Sequence, residues 1–102
     1  MSYQFGLAEE DIQKINSVFL KYTEITKVVI YGSRAKGDFK ASSNIDLSVF
    51  TDKKDISFLS KVEKEIDDLG LPYKVDMSIH SLLENDSLKN HIKLIGQVFF
   101  QR

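Results

Sequence analysis

Three groups of residues in this 102-residue chain have types and spacings that could do chemistry on a phosphate. Gly32 and Ser33 follow an apolar run and open a short basic stretch over residues 32–37. Glycine takes backbone angles closed to other residues, so the chain can turn sharply there. The N–H groups at the mouth of the helix that follows would point outward and cradle an anion. Arg34, Lys36 and Lys40 place mobile positive charge beside that cradle. Further on, Asn44 and Asp46 stand two apart in a stretch that reads as a strand, so their side chains project together. Asp76 falls on the polar side of a later strand. Two or three side-chain oxygens converging from neighbouring strands suit Mg²⁺, which completes its shell with water and nucleotide phosphates. Metals held this way can stabilise both the attacking and the leaving oxygen of a phosphoryl displacement. Each group alone has a plainer use. Gly-Ser can cap an ordinary helix, and either aspartate could be a solvated carboxylate on an exposed face. The turn is not a Walker A loop, because the spacing and the Gly-Lys-Ser/Thr ending are missing. It is the combination that points to phosphoryl chemistry.

The elements that must position these groups are legible in the hydrophobic pattern. Ile12, Ile15, Val18 and Phe19 recur at helical spacing within residues 8–22, with Glu9, Glu10 and Asp11 near the positive end of the helix dipole. Residues 23–26 break that pattern. Residues 27–31 are β-branched and nearly all apolar, which predicts a strand buried on both faces. Ile45, Leu47 and Val49 alternate with Asp46, Ser48 and Phe50, a second strand with one polar face. Asp52 or Asp55 caps a helix carrying Ile56, Leu59, Val62, Ile66 and Leu69, which Gly70 and Pro72 stop. Residues 73–79 make a third strand, with Lys74, Asp76 and Ser78 opposite its apolar side. Asp86 or Ser87 caps a short helix with Leu88, Ile92 and Ile95, and residues 98–100 add a short fourth strand. Residues 1–6 read as a loosely held lead-in. The expected architecture is one α/β (α+β) domain over residues 1–102, a small mixed sheet with helices packed on it.

Composition narrows the partners. A net charge of −1 gives no global field toward nucleic acid or membrane, so any anion site must be local. With no cysteine, disulfides, thiolate zinc sites and Cys nucleophiles are excluded. No apolar run approaches a membrane span, and the N-terminus lacks the basic-then-apolar order of a signal peptide. The expected compartment is the cytoplasm.

Gly-Ser, ten intervening residues, then Asx-x-Asp-Leu resembles the signature of the DNA polymerase beta nucleotidyltransferase superfamily. GSRAKG followed by SNIDL is most similar to the minimal nucleotidyltransferases. The preceding helix, the carboxylate in LPYKVDMS and the late helix ending in glycine before a short strand extend that resemblance over nearly the whole chain. It implies that Gly32 and Ser33 hold the β- and γ-phosphates of a nucleoside triphosphate, ATP foremost, with Arg34 and Lys36 beside them. Asp46 would bind Mg²⁺, with Asn44 standing where the family has its first aspartate. Asp76 would be the third carboxylate, binding metal and helping to deprotonate the attacking hydroxyl. Ser33 completes the implied catalytic set. The resemblance also implies transfer of a nucleoside monophosphate to a hydroxyl with release of pyrophosphate. It further implies pairing as an antitoxin with an all-helical HEPN-type toxin, some members of the family attaching AMP to a tyrosine of that partner. A domain this small has little surface for gripping an acceptor, so a homo- or hetero-oligomer is expected, and nucleic acid is disfavoured by the near-neutral charge.

Asn44 departs from the pattern. A carboxamide offers one oxygen without charge and cannot bridge two cations, so weaker metal binding and slower chemistry are expected, by ~2–4 kcal/mol in the barrier. The rival reading is therefore a nucleotide-binding or toxin-neutralising subunit with weakened catalysis. His80 and His91 are expected to be structural or solvent-facing, and Tyr31 to pack beneath the signature. Phe39 either folds onto the core or offers its ring to a base or partner. Phe99 and Phe100 either close the core or form an available edge.

Overall fold

The computed structural model describes residues 3–102. Its centre is a four-stranded mixed sheet in the order β5-β4-β3-β6. β4 (Ile45–Thr51) and β6 (Gln97–Gln101) flank β3 (Ile25–Tyr31) antiparallel, and β5 (Val75–Ile79) joins β4 in parallel. Among the described residues, four α-helices accompany the sheet: α1 (Glu9–Lys21), α2 (Ser33–Lys36), α3 (Ile56–Asp67) and α4 (Asp86–Ile95). The mixed sheet with helices packed on it is the architecture expected from the sequence.

Strand alternation sorts the side chains onto two faces. Val28 and Ile30 of β3, with Ile45, Leu47 and Val49 of β4, meet Ile15, Val18 and Phe19 of α1 and Phe58, Leu59, Val62 and Ile66 of α3 in one core. Phe99 and Phe100 are buried in the same core, Phe99 edge-on to Phe19, so they close it from β6. Arg102 secures the far end of α1 by donating to the carbonyls of Phe19 and Tyr22 at 2.8 and 2.9 Å.

The opposite face presents three rows across the sheet. Tyr31, Asp46 and Asp76 are aligned in register, then Val29, Ser48 and Ser78. The last row is Lys27, Phe50 and His80, with Lys27 paired to Phe50 and the Phe50 and His80 rings stacked at 4.2 Å. Four strand residues separate the acidic row from the basic one, about 13 Å. α4 lies over this face with Ile92 buried.

Several expected boundaries move. Residues 3–6, expected within a loose lead-in, belong to a hairpin of β1 (Tyr3–Gln4) and β2 (Leu7–Ala8), in which Leu7 is fully buried. Its turn, Phe5-Gly6, has positive φ at both positions, 59° and 72°, as a type I′ turn requires. Met1 and Ser2 lie outside the described residues. β3 starts at Ile25 rather than at 27, because Ile25 already pairs with Thr51. β5 starts at Val75 rather than at 73, because β4 offers its first partner at Ile45. Asp55 is the cap of α3, accepting from Ser57 N at 2.9 Å. α4 is capped by Asn85 rather than by Asp86 or Ser87, through an acceptor contact from Leu88 N at 3.0 Å. Among the described residues no helix is long and apolar enough to cross a membrane.

Candidate active site

The buried strand β3 delivers the chain to Gly32, where φ is 77° and ψ −156°, a conformation open essentially to glycine alone. A second demand falls on the same residue, since a Cβ there would stand 2.5 Å from Asp46 Oδ2. The Asp46 carboxylate therefore lies directly against the turn. α2 begins at Ser33, and its helical hydrogen bonds start with Lys36 N–H donating to Gly32 O at 3.1 Å. The amides of Ser33, Arg34 and Ala35 precede that first bond and have no partner among the described residues. The Ser33 side chain is half-buried at this mouth.

Parallel pairing of β4 with β5 sets Asp46 opposite Asp76. Asn44, just before β4, donates Nδ2–H to Asp76 Oδ2 at 3.0 Å. Burial pushes the Asp46 carboxyl above its ordinary pKa; the charge of Asp76 pushes the same way, and His91 opposes both. Burial likewise raises Tyr31, with the negative charge of Asp46 adding to it. Among the described residues no three His, Cys, Asp or Glu side chains converge as a metal cluster. The two facing carboxylates, with repulsion between them, nevertheless make a donor set that fits one hard divalent cation. Asn44 turns its amide nitrogen, not its oxygen, toward that pair, so in this arrangement it substitutes a hydrogen bond for charge.

The structure sets Gly32 against Asp46, Asp46 opposite Asp76 and Asn44 on Asp76, with Ser33 following Gly32 in the turn. Arg34 is not with them. The expectation of a mobile cation beside the phosphate cradle is corrected here, because Arg34 is 2% exposed and its guanidinium points inward. It donates to Phe5 O at 2.9 Å, to Ser43 O at 2.9 and 3.1 Å, and to Ala41 O at 3.3 Å. Phe39 and Tyr73 lie with their rings 5.3 and 5.4 Å from it. Arg34 is a strut that binds the N-terminal hairpin to the 38–43 loop, and Phe39 folds inward with it. Lys36 stays exposed and pairs with Asp38 at 3.5 Å. Lys40 is exposed too, its backbone N–H donating to Ser43 Oγ at 2.8 Å.

His91 was the residue hidden from the sequence. From α4 its Nε2 accepts the Gly32 N–H at 3.1 Å, and its ring stands edge-on to Tyr31 at 6.1 Å. A separation of 59 residues left no local signal for this contact. His80 belongs to the basic row instead, with Nδ1 3.0 Å from Ser48 Oγ.

Known proteins share this fold. The family described as Polymerase beta, Nucleotidyltransferase matches residues 13–102. No curated protein is similar enough in sequence to match. Among solved structures, a toxin-antitoxin with AMP-PNP superposes with a TM-score of 0.72 at 16% identity, covering 89% of this chain and 73% of that one. The MntA-HpeT toxin-antitoxin, in a mutant form, gives 0.70 at 16% identity over 94% of this chain and 75% of the other. A tri-AMPylated Shewanella oneidensis HEPN toxin in complex with MNT antitoxin gives 0.68 at 14% identity, with 92% and 72% covered. At these identities the superpositions show a shared fold. With the family's sequence pattern running from the first helix through the acidic pair to the last strand, this chain belongs to the polymerase beta nucleotidyltransferase family.

Proposed function

We propose that this chain is a minimal nucleotidyltransferase that moves a nucleoside monophosphate, AMP from ATP foremost, to a hydroxyl on a helical HEPN-type partner. The observation that carries the reading is the Asp46–Asp76 pair held in register beneath the Gly32-Ser33 turn. Asp46 and Asp76 would hold Mg²⁺, which when bound supplies positive charge against the triphosphate. The free amides of α2 and the Ser33 hydroxyl bind the β- and γ-phosphates. Asp76 takes the proton of the acceptor hydroxyl as that oxygen bonds to the α-phosphorus. The bond from the α-phosphorus to the bridging oxygen breaks, and pyrophosphate leaves. Positioning and charge neutralisation provide the rate enhancement. The similar structures, an AMP-PNP-bound pair and an AMPylated HEPN toxin among them, support this choice of nucleotide and partner.

The Asn44–Asp76 hydrogen bond favours a second reading, a nucleotide-binding or toxin-neutralising subunit with weakened transfer. Incubation with labelled ATP, Mg²⁺ and the product of the neighbouring gene separates the two. Label on the partner, lost in Asp76→Asn, supports transfer. A tight complex without label supports the binder and refutes the enzyme.

A further inference from the structure

Behind α4, on the basic row of the sheet, lies a cavity of about 480 Å³ with no carboxylate in its lining. Ile92 of α4 lines it, while His91, the next residue, reaches the Gly32 turn, so the helix separates this cavity from the acidic pair. Its floor is apolar, made by Val29, Ile92 and the ring of Phe50, and Val98 on the rim is 51% exposed.

The cations around it are poorly neutralised. Lys27 is half-buried and reaches across to Phe50, its Nζ 4.5 Å from the ring centroid, with no acidic partner among the described residues. The ring face offsets part of the cost of a half-buried ammonium, by about 0.5–1 kcal/mol at such sites, and does not cancel the charge. Lys93 on the rim also lacks an acidic partner among the described residues. Lys89 pairs with Asp86 at 3.4 Å, but that carboxylate is 97% exposed and stands in solvent. Lys27, Lys89 and Lys93 all line this one space, so their positive charges add over it. Burial, with Lys27 and Lys89 nearby, lowers the His80 pKa, so this ring lines the cavity as a neutral group.

We propose that this cavity is a second ligand site, for a small organic phosphate whose apolar or flat body rests on Val29, Ile92 and Val98 while its dianion takes Lys27, Lys89 and Lys93. The charge decides between anions. A phosphate monoester carries about −1.5 to −2 at neutral pH and matches at least two unneutralised ammoniums, whereas a carboxylate leaves one uncompensated. The volume is that of an ordinary small-molecule site. The site is independent of the transferase reading, since none of its residues belongs to the acidic pair or the Gly-Ser turn.

Phenyl phosphate, which joins a flat apolar body to a dianion, is the probe, titrated into the ¹⁵N-labelled full chain without Mg²⁺ and followed by backbone amide shifts. Saturable shifts are expected at Lys27, Gln97 and Val98, about tenfold tighter than with inorganic phosphate or phenol alone (~1.4 kcal/mol). The shifts persist in Asp46→Asn, and affinity falls about tenfold in Lys27→Met/Lys93→Gln. Should Lys27→Met fail to fold, Lys89→Gln/Lys93→Gln on the rim makes the same test. The proposal is overturned if phenyl phosphate shifts only Gly32 and Ser33, if no saturation occurs by about 10 mM, or if the lysine variants bind unchanged. Saturation of the same amides by an unphosphorylated acidic peptide, with no response to phenyl phosphate, also overturns it, in favour of a protein docking point.

Discussion

Asn44→Asp puts the reading of the acidic pair to its strictest test. The native amide donates to Asp76 at 3.0 Å, so the substitution removes one hydrogen bond and sets a third carboxylate beside the Asp46–Asp76 pair. A hydrogen bond to a charged group contributes about 1.5–3 kcal/mol when shielded, and roughly half of that for an exposed residue such as Asn44. Two like charges about 4 Å apart cost about 1 kcal/mol in water and about 4 at a partly shielded site. With the exposed limit governing, the metal-free variant loses about 2 kcal/mol, and its melting temperature falls by roughly 8–16 °C. Mg²⁺ reverses the sign, because the new carboxylate is a ligand. Affinity for the ion rises at least about tenfold, and melting in saturating Mg²⁺ recovers to or above that of the parent. Thermal melts with and without Mg²⁺, calorimetric titration of the ion, and transfer from labelled ATP read the three consequences together. Equal melting, equal Mg²⁺ response and equal transfer in both forms would refute the argument that Asn44 stands in for a charge.

Three further perturbations test other parts of the site. Gly32→Ala strains a backbone conformation at about 1–3 kcal/mol and drives a Cβ into Asp46 Oδ2, so both melting temperature and Mg²⁺ affinity fall; native-like Mg²⁺ binding would show that the turn does not position Asp46. Arg34→Lys cannot span the carbonyls of Phe5, Ala41 and Ser43 at once and costs about 3 kcal/mol, with faster amide exchange over residues 38–43; equal exchange would refute the strut. Asp46 provides a pH signature, its pKa raised in the fold chiefly by burial and further by Asp76. Below about pH 3.9, the ordinary carboxylate value, folded and unfolded chains both carry the proton. As pH rises from there to the raised folded value, the unfolded chain releases its proton first, so this group makes the metal-free fold progressively less stable. Asp46→Asn removes that loss, and melts across the window should show a variant more stable than the parent at neutral pH yet devoid of transfer. A variant less stable than the parent at neutral pH would contradict it.

Much of this was open to reading because the decisive patterns are local. Alternation in Ile45, Leu47 and Val49 fixes which way Asp46 points, and the 3–4 spacing in α1 and α3 fixes their buried sides. The acidic pair was accessible for the same reason, each aspartate lying opposite an apolar face. What escaped depended on contacts distant in the chain or on unusual turn chemistry. The Phe5-Gly6 turn has positive φ at a phenylalanine, which has no preference for it, so the hairpin gave no Asn-Gly signal. Arg34 beside a Gly-Ser turn looks like a phosphate ligand until the carbonyls of Phe5, Ala41 and Ser43 close around it. His91 meets Gly32 only because α4 folds back over β3. The shift of the α4 cap to Asn85 is a competition among three adjacent polar residues, any of which could have served.

The Arg34 strut ties residues 3–8 to the candidate site and makes them more than a dispensable tip. Trimming the chain to begin at α1 would strip one carbonyl from a buried guanidinium and uncover Phe39, which packs under Gly6. The disturbance would travel through Ser43 to the start of the strand that carries Asp46. A version that begins at α1 would also lose the fully buried Leu7, so the candidate site and the core would weaken together.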